Sequence, residues 1–382
     1  MILNENVDRK IIPVAGGKGG VGKSVLAANM ALSMAISGQK TVLVDLDLGG
    51  SNIHTLLGEK NINAGIGNFI SGRSYSMPDL VRPTAWENLY YVPGDVLVYG
   101  IGELTKSVKN RIIKGLLEID ADYIIVDLGG GTNFTVIDFF LISNSGLIVT
   151  TPQNTSILNA YAFVKNYVFR FLQRAFIKNK EVSAYLKTAL KERKPGNRKM
   201  VVDIVSDLRE MDAEIGEKAQ AFIEVLQPKL ILNRVTGLHD IAMAEGLRDL
   251  CLQNLSVNME CLGTVMNDDL INQSISLQRP FILDYPENVI TGEIHRIGQK
   301  IIQSRHFPEM PLELDYYSDT FELAHIETEN DIAVLEEKES ENGSSNDSDR
   351  YDVDKLLELV KIQQNRINEL QGTLRMLSFG QN

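Results

Sequence analysis

Short apolar runs alternate with amphipathic stretches from about residue 9 to residue 305, and this alternation predicts a chain of strand–helix–strand units. Ile11-Ile12-Pro13-Val14-Ala15 reads as a strand, and Val25 to Leu32 as the helix that follows. Thr41-Val42-Leu43-Val44-Asp45-Leu46-Asp47 reads as the next strand. Further runs at 88–94, 123–128, 146–152, 230–234 and 261–265 read the same way, with a helix expected over 105–119. Two strands joined through a helix within some forty residues lie parallel, because the crossover must return the chain to the same end of the sheet. The runs are apolar on both faces, as strands covered on both sides are. The fold class expected is α/β, a doubly wound and mostly parallel sheet.

The pattern changes twice further along. Residues 165–200 hold eleven Lys and Arg against only Glu181 and Glu192. Tyr161, Val164, Val168, Phe171 and Leu172 recur at helical spacing, so a basic helical insertion with one apolar face is expected over about 165–225. Its charge fits either a solvated face or contact with nucleic-acid phosphate or anionic lipid. From Glu309 to Asp354 there are 16 acidic residues against two basic ones, so the net charge of −12 belongs almost wholly to that segment. The expected organisation is an α/β domain over 1–308, an acidic, disordered linker over 309–352, and a helix over 353–379. In that helix Val353, Leu356, Val360, Ile367, Leu370, Leu374 and Leu377 fall on a heptad seam interrupted by Gln363.

Candidate chemistry is concentrated at the first strand–helix junction. Gly17-Lys18-Gly19-Gly20-Val21-Gly22-Lys23-Ser24 fits G-x-x-x-x-G-K-[ST] between an apolar run and a helix. Glycines let backbone N–H groups converge on phosphate oxygens, and the helix N-terminus adds partial positive charge. Lys23 would reach the β/γ-phosphates and the Ser24 hydroxyl would ligate Mg²⁺. Asp45 and Asp47 end one strand, and Asp127 ends Tyr123-Ile124-Ile125-Val126-Asp127 ahead of Gly129-Gly130-Gly131. The carboxyl ends of parallel strands are where such a fold binds ligands, so Asp127 is the expected Mg²⁺-side carboxylate.

Bulk properties narrow the setting. Hydrophobic content of 44% suits a full globular core, and no apolar run nears the ~20 residues of a membrane span. Met1 to Asn6 lacks the basic-then-apolar form of a secretory signal. Cys251 and Cys261, ten residues apart in apolar surroundings, read as reduced thiols of a cytoplasmic protein.

The loop G-G-K-G-G-V-G-K-S, with Lys18 ahead of Lys23, resembles the deviant Walker A motif of the MinD/ParA family of P-loop ATPases, in particular its MinD/FlhG-like subgroup. Val44 to Asn52 resembles that family's switch I, and Val126 to Gly130 its switch II. Asn88 to Gly94 and Arg279 to Asp284 are similar to its strands and loops in the same order. The resemblance implies a homodimer that sandwiches two ATP molecules, with Lys18 of each subunit reaching the phosphates bound by the other. It implies that Asp47 orients the attacking water, that Ser24, Asp45 and Asp127 serve Mg²⁺, and that Asn233 and Arg234 lie at the adenine. Pro152 to Ser156 would sit near the dimer face.

The implied function is a weak, partner-stimulated ATPase that positions a flagellum, pole, division site or chromosome region. An activator or cargo adaptor would engage the C-terminal helix. The setting would be cytoplasmic, peripheral at the inner membrane or nucleoid. The alternative is an ATP-dependent clamp on nonspecific DNA through 165–200. Met1 to Lys10 shows no Asp-Gln-rich activator motif, and neither cysteine has the spacing of an iron–sulfur carrier. No segment after residue 305 offers the glutaminase domain of a related amidotransferase.

Overall fold

A computed structural model of the chain describes residues 10–60, 64–71, 75–94, 104–191, 199–303 and 320–341. The first strand, β1 (Lys10–Ala15), leads into α1 (Lys23–Ile36), and β2 (Thr41–Leu46) follows. Two short helices, α2 (Ile53–Leu56) and α3 (Ile66–Ile70), precede the edge strand β3 (Arg82–Pro83) and β4 (Leu89–Val92). Next come α4 (Lys106–Leu116), β5 (Tyr123–Leu128), α5 (Phe134–Phe140) and β6 (Leu147–Thr150). Four helices fill the following crossover: α6 (Asn154–Ala175), α7 (Lys180–Lys191), α8 (Val201–Met211) and α9 (Ala213–Glu224). The sheet ends with β7 (Lys229–Val235), α10 (Ile241–Leu255) and β8 (Glu260–Met266). Beyond it lie α11 (Leu270–Leu277), α12 (Phe281–Asp284), α13 (Val289–Gln303) and α14 (Thr320–Glu341).

The eight strands run in the order β3-β4-β2-β5-β1-β6-β7-β8, and all are parallel except β3. The chain leaves β1 for β2 yet returns to insert β5 between them, so β1 and β5 become neighbours. That insertion matters for function. It places the Asp127 end of β5 beside the loop after β1 on one side and beside Asp45 of β2 on the other, where Asp45 and Asp127 are register partners. The wholly buried sequences of β2 and β5, TVLVDL and YIIVDL, account for their central place, because only apolar strands tolerate cover on both faces.

Helix α1 is buried along most of its length because its alanines allow close approach. Its polar residues are tied to the last third of the domain. Asn29 accepts from the Ile282 amide at 3.1 Å, Ser33 meets His295 at 2.6 Å, and Gln299 donates to Ser37 at 2.8 Å.

The acidic span 309–352 contains a helix where a disordered linker is expected. Helix α14 lies along β8 with Phe321, Ala324, Thr328 and Asp331 buried. These residues are spaced three, four and three apart, a narrow helical stripe hidden in sequence by the acidic residues between them. The expected heptad helix, 353–379, lies outside the described residues, as do 192–198 of the basic stretch.

Candidate nucleotide-binding site

The loop from Gly16 to Gly22 crosses the carboxyl end of β1 and enters α1 through Gly22, whose φ of 91° is left-handed. A Cβ there would come within 2.3 Å of the Asn233 side-chain nitrogen. Gly22 is thus required twice, by its backbone and by its neighbour. Replacing it with alanine should destabilise the fold by about 1–3 kcal/mol and weaken nucleotide binding. Paired thermal melts and nucleotide titrations check this, and unchanged affinity would show that the loop tolerates the strain.

Within this loop the two lysines differ sharply. Lys23 is 6% exposed, at the start of α1. Lys18 is exposed, and among the described residues it makes no hydrogen bond or ion pair. The loop after β5 leans on the same turn. Gly131 N–H donates to the Gly16 carbonyl at 3.2 Å, and a Cβ on Gly130 would lie 2.9 Å from the Gly19 nitrogen. Any change in the 129–131 loop therefore pushes directly on the glycine-rich loop.

The three aspartates take distinct positions. Asp127 is fully buried, and among the described residues neither carboxylate oxygen has a hydrogen-bond partner within bonding geometry. Burial first and then the neighbouring Asp45 push its carboxyl up to about 8, against the opposing pull of Ser24 and Lys23 beside it. A buried, unsatisfied acid facing a serine hydroxyl fits a divalent cation, which would supply the missing partner. Asp45 is also fully buried and shifted upward by that burial, but its oxygens are occupied. It accepts from Ser51 Oγ at 2.7 Å and from the Asp47, Asn52 and Ile53 amides at 3.1–3.2 Å. Asp45 therefore folds the loop that follows it. Asp47 is half-buried above the 129–130 loop, and its Oδ1 accepts from the Gly49 amide at 3.3 Å. Asp47, Gly49, Gly129, Gly130 and Asn133 line a cleft of about 240 Å³.

Asn233 reaches the site by an irregularity no local signal announces. A bulge between Asn233 and Val235 breaks the β7–β8 register, with Arg234 at φ 61°. The Asn233 amide then donates to the Val21 carbonyl at 2.8 Å, while its oxygen accepts from Arg234 N–H at 2.9 Å. Both residues flank the glycine-rich loop, and Arg234 is exposed.

A group missing from the sequence reading is Asp138 on α5. It is fully buried, and Arg170 contacts it at 2.6 and 2.9 Å, Arg174 at 3.1 Å, and Lys109 through a short ion pair. Burial alone would raise this carboxyl; the hydrogen bonds from Arg170 and Lys109 hold it below the usual carboxylate range. The cluster ties α5, which leaves the 129–131 loop, to α4 and α6. Its cations lie 29 to 36 positions from Asp138 in sequence, so no spacing rule exposes it. It also takes two cations out of the basic stretch. A third, Lys199, pairs with Asp207. Lys178, Lys180 and Lys187 stay exposed.

The ParA family model, described as NUBPL iron-transfer P-loop NTPase, matches residues 7–169 of this chain. That segment is similar to the P-loop NTPase domain of the ParA/MinD family. The flagellum site-determining protein YlxH of Helicobacter pylori is 34% identical over 162 residues, which cover 41% of this chain and 53% of that protein. The chloroplastic septum site-determining protein minD homolog of Arabidopsis thaliana is 33% identical over 156 residues, 40% of this chain and 48% of that protein. The matches thus span about half the length of these relatives.

Solved structures extend the ParA/MinD fold across the sheet. The septum site-determining protein MinD of Pyrococcus horikoshii, complexed with Mg-ADP, covers 77% of this chain and 96% of its own, with a TM-score of 0.52 at 19% identity. The MinC:MinD cell division complex of Aquifex aeolicus gives 0.50 at 20% identity, covering 79% of this chain and 98% of that one. The fold expected from the sequence is the fold observed, an eight-stranded, mostly parallel P-loop NTPase sheet with flanking helices.

Proposed function

We propose that the chain is an ATPase of the MinD/ParA type that hydrolyses ATP in a nucleotide-sandwich homodimer and so switches a positioning system. The observation that carries this reading is the contrast between the two loop lysines. Lys23 is buried beside Asp127 and is suited to phosphates bound in its own subunit. Lys18 is exposed on the same loop and has no partner among the described residues. A cation held in readiness at the site's mouth acts on phosphate charge only when a second subunit closes over it, as an arginine finger does.

In this reading Gly17 to Ser24 bind the phosphates, and Ser24 and Asp127 hold Mg²⁺, which would neutralise charge developing on the phosphate oxygens. Asp45 serves the metal side indirectly, by fixing the loop that presents Asp47. Asp47 orients the attacking water in the cleft it shares with Gly129 and Gly130. Asn233 and Arg234 flank the adenine. Weak basal turnover with stimulation by a partner follows if the dimer is the competent state. The names of the relatives, septum site-determining and flagellum site-determining, favour a spatial role. The heptad pattern of 353–379 offers a docking segment for the activator or cargo.

A cytoplasmic setting with peripheral attachment accords with this role, and no described helix is long and apolar enough to cross a membrane. The iron-transfer label of the family model does not suit the cysteines. Both are buried, and burial pushes the Cys251 thiol up to about 12.

The test is light-scattering mass measurement of the full chain with Mg-ATP and with Mg-ADP. A dimer with ATP and a monomer with ADP are expected, and a monomer in both would overturn the proposal. A DNA clamp is the second reading, and exposed Lys178, Lys180 and Lys187 favour it. If they bind DNA, ATP-stimulated retention on DNA should fall steeply as salt rises from 50 to 200 mM. Absence of retention at low salt removes that reading.

A further inference from the structure

Helix α6 touches the glycine-rich loop at one level and α5 at others. In its first two turns its backbone closes on that loop, where a Cβ on Gly17 would lie 2.1 Å from the Asn159 carbonyl oxygen. Only glycine fits there, so the loop is seated on helix backbone, not on a movable side chain. Further along, Phe163 and Tyr167 receive Phe140 of α5 edge-on, with ring centroids 5.0 and 5.1 Å away. The next turn carries Arg170, whose Nε and Nη2 donate to the two oxygens of Asp138 at 2.6 and 2.9 Å. The same guanidinium lies over the Phe134 ring, 4.9 Å from its centroid. Phe134 and Asp138 are one helical turn apart, so a single side chain of α6 spans the first turn of α5.

The first turn of α5 is where the 129–131 loop ends. Asn133 caps the helix, accepting from the Val136 amide at 3.0 Å, so Asn133 and that turn move together. Asn133 also lines the cleft that holds Asp47, Gly129 and Gly130. Phe134 itself is 54% exposed, so core packing alone does not fix its ring, and the guanidinium lying over it supplies a second hold. Both loops of the site are therefore referred to one element. The glycine-rich loop rests on α6 at Asn159, and the 129–133 segment is tied to α6 through Arg170.

We propose that Arg170 is a positioning residue for hydrolysis: by clamping Phe134 and Asp138 it sets the 129–133 segment at its distance from the glycine-rich loop. The kinetic consequence rests on the ATPase reading above, whereas the clamp itself does not. Loss of the clamp leaves the phosphate loop on its own seat at Asn159, so nucleotide binding persists. What moves is the cleft in which Asp47 would orient the attacking water, and a misplacement of about 1 Å at such a point costs up to about 10²-fold in rate.

Hydrogen exchange on the nucleotide-free full chain tests the clamp. In Phe134→Ala the amides of 129–133 should exchange at least about tenfold faster than in wild type, while those of β5 and α1 keep their wild-type rates. Phe134→Tyr should restore protection and Phe134→Leu should not, because a guanidinium recognises the face of an aromatic ring. Arg170→Gln should reproduce Phe134→Ala, with Lys109 and Arg174 still holding Asp138. Wild-type rates at 129–133 in Phe134→Ala, full protection in Phe134→Leu, or equal acceleration in β5 would each overturn the proposal. Because Phe134 is half-exposed, its variants carry the test even if Arg170→Gln folds poorly. Steady-state kinetics on the same variants should show kcat lower by about ten- to hundredfold with KM for ATP within about twofold of wild type. A raised KM at unchanged kcat would overturn it. A wild-type chain that does not turn over ATP would refute the ATPase reading instead, and the exchange rates would still decide the clamp.

Discussion

Lys18→Ala should leave ATP affinity close to that of wild type and lower turnover by about 10³-fold or more, the scale of a charge supplied across an interface. The physical reason is the position of the side chain. Lys18 is exposed and has no partner among the described residues, so removing it leaves none of their buried groups unsatisfied. Its loss is felt only where transition-state charge develops. Lys23 is buried in the site, and Lys23→Ala should instead abolish binding. Complementation separates the cross-subunit mechanism from a role within one chain. Mixing Lys18→Ala with Asp47→Ala creates heterodimers in which one site has its own Asp47 and a partner lysine. Activity well above that of either variant alone is expected. Activity no higher than the sum of the two would show that Lys18 acts in its own subunit.

Asp138→Ala should destabilise the chain by about 3–5 kcal/mol, the cost of leaving buried cations without their counter-charge. The carboxyl is fully buried between the buried Lys109 and the partly exposed Arg170 and Arg174. The pH dependence has a definite sign. The folded-state carboxyl lies below its ordinary value, so its stabilisation is complete above the unfolded value near 3.8 and is lost as pH falls through the folded one. Denaturant melts from pH 7 downward should therefore show a steeper acid limb for wild type than for Asp138→Asn. Matching acid limbs would mean that another carboxylate dominates acid unfolding. Because α5 follows the 129–131 loop, the same variant should also loosen nucleotide binding.

The two predictions draw on different kinds of legibility. Lys23, Ser24 and Asp127 stand out as candidates in the sequence because local chemistry singles them out, whereas the role of Lys18 is implied only by family likeness. A glycine-rich turn between a strand and a helix has few uses, and an apolar strand ending in Asp places that acid at a known edge. Asp138 could not be named so. Its partners come from α4 and α6, which meet α5 only after the sheet has formed. Asn233 was placed by family likeness, and the bulge at Arg234 that turns it onto Val21 has no counterpart in hydrophobic pattern. Family likeness gives Asp45 and Asp127 the same supporting role toward Mg²⁺, and only the structure separates them, with the oxygens of Asp45 engaged by Ser51 and the following amides. Which acid is free and which is engaged depends on loop closure.

Helix α14 shows the same divide from the other side. Acidic composition predicts solvation, because few apolar residues remain to offset the entropy of ordering. The prediction fails over 320–341 because Arg296, Lys300 and Arg248, distant in sequence, convert acidic residues from solvated groups into docking contacts.

By itself, the sequence determined the α/β class, the strands and crossover helices, and the phosphate loop with its second lysine. Periodicity and turn chemistry act within a few residues, and those features need nothing more. Tertiary structure alone decided that β5 inserts between β1 and β2, bringing Asp127 to the loop and Asp45 to Asp127. It also decided which charges are buried in pairs and which, like Lys18, stay exposed with no partner among the described residues. Those outcomes depend on burial and on distances between segments, and neither is encoded at short range.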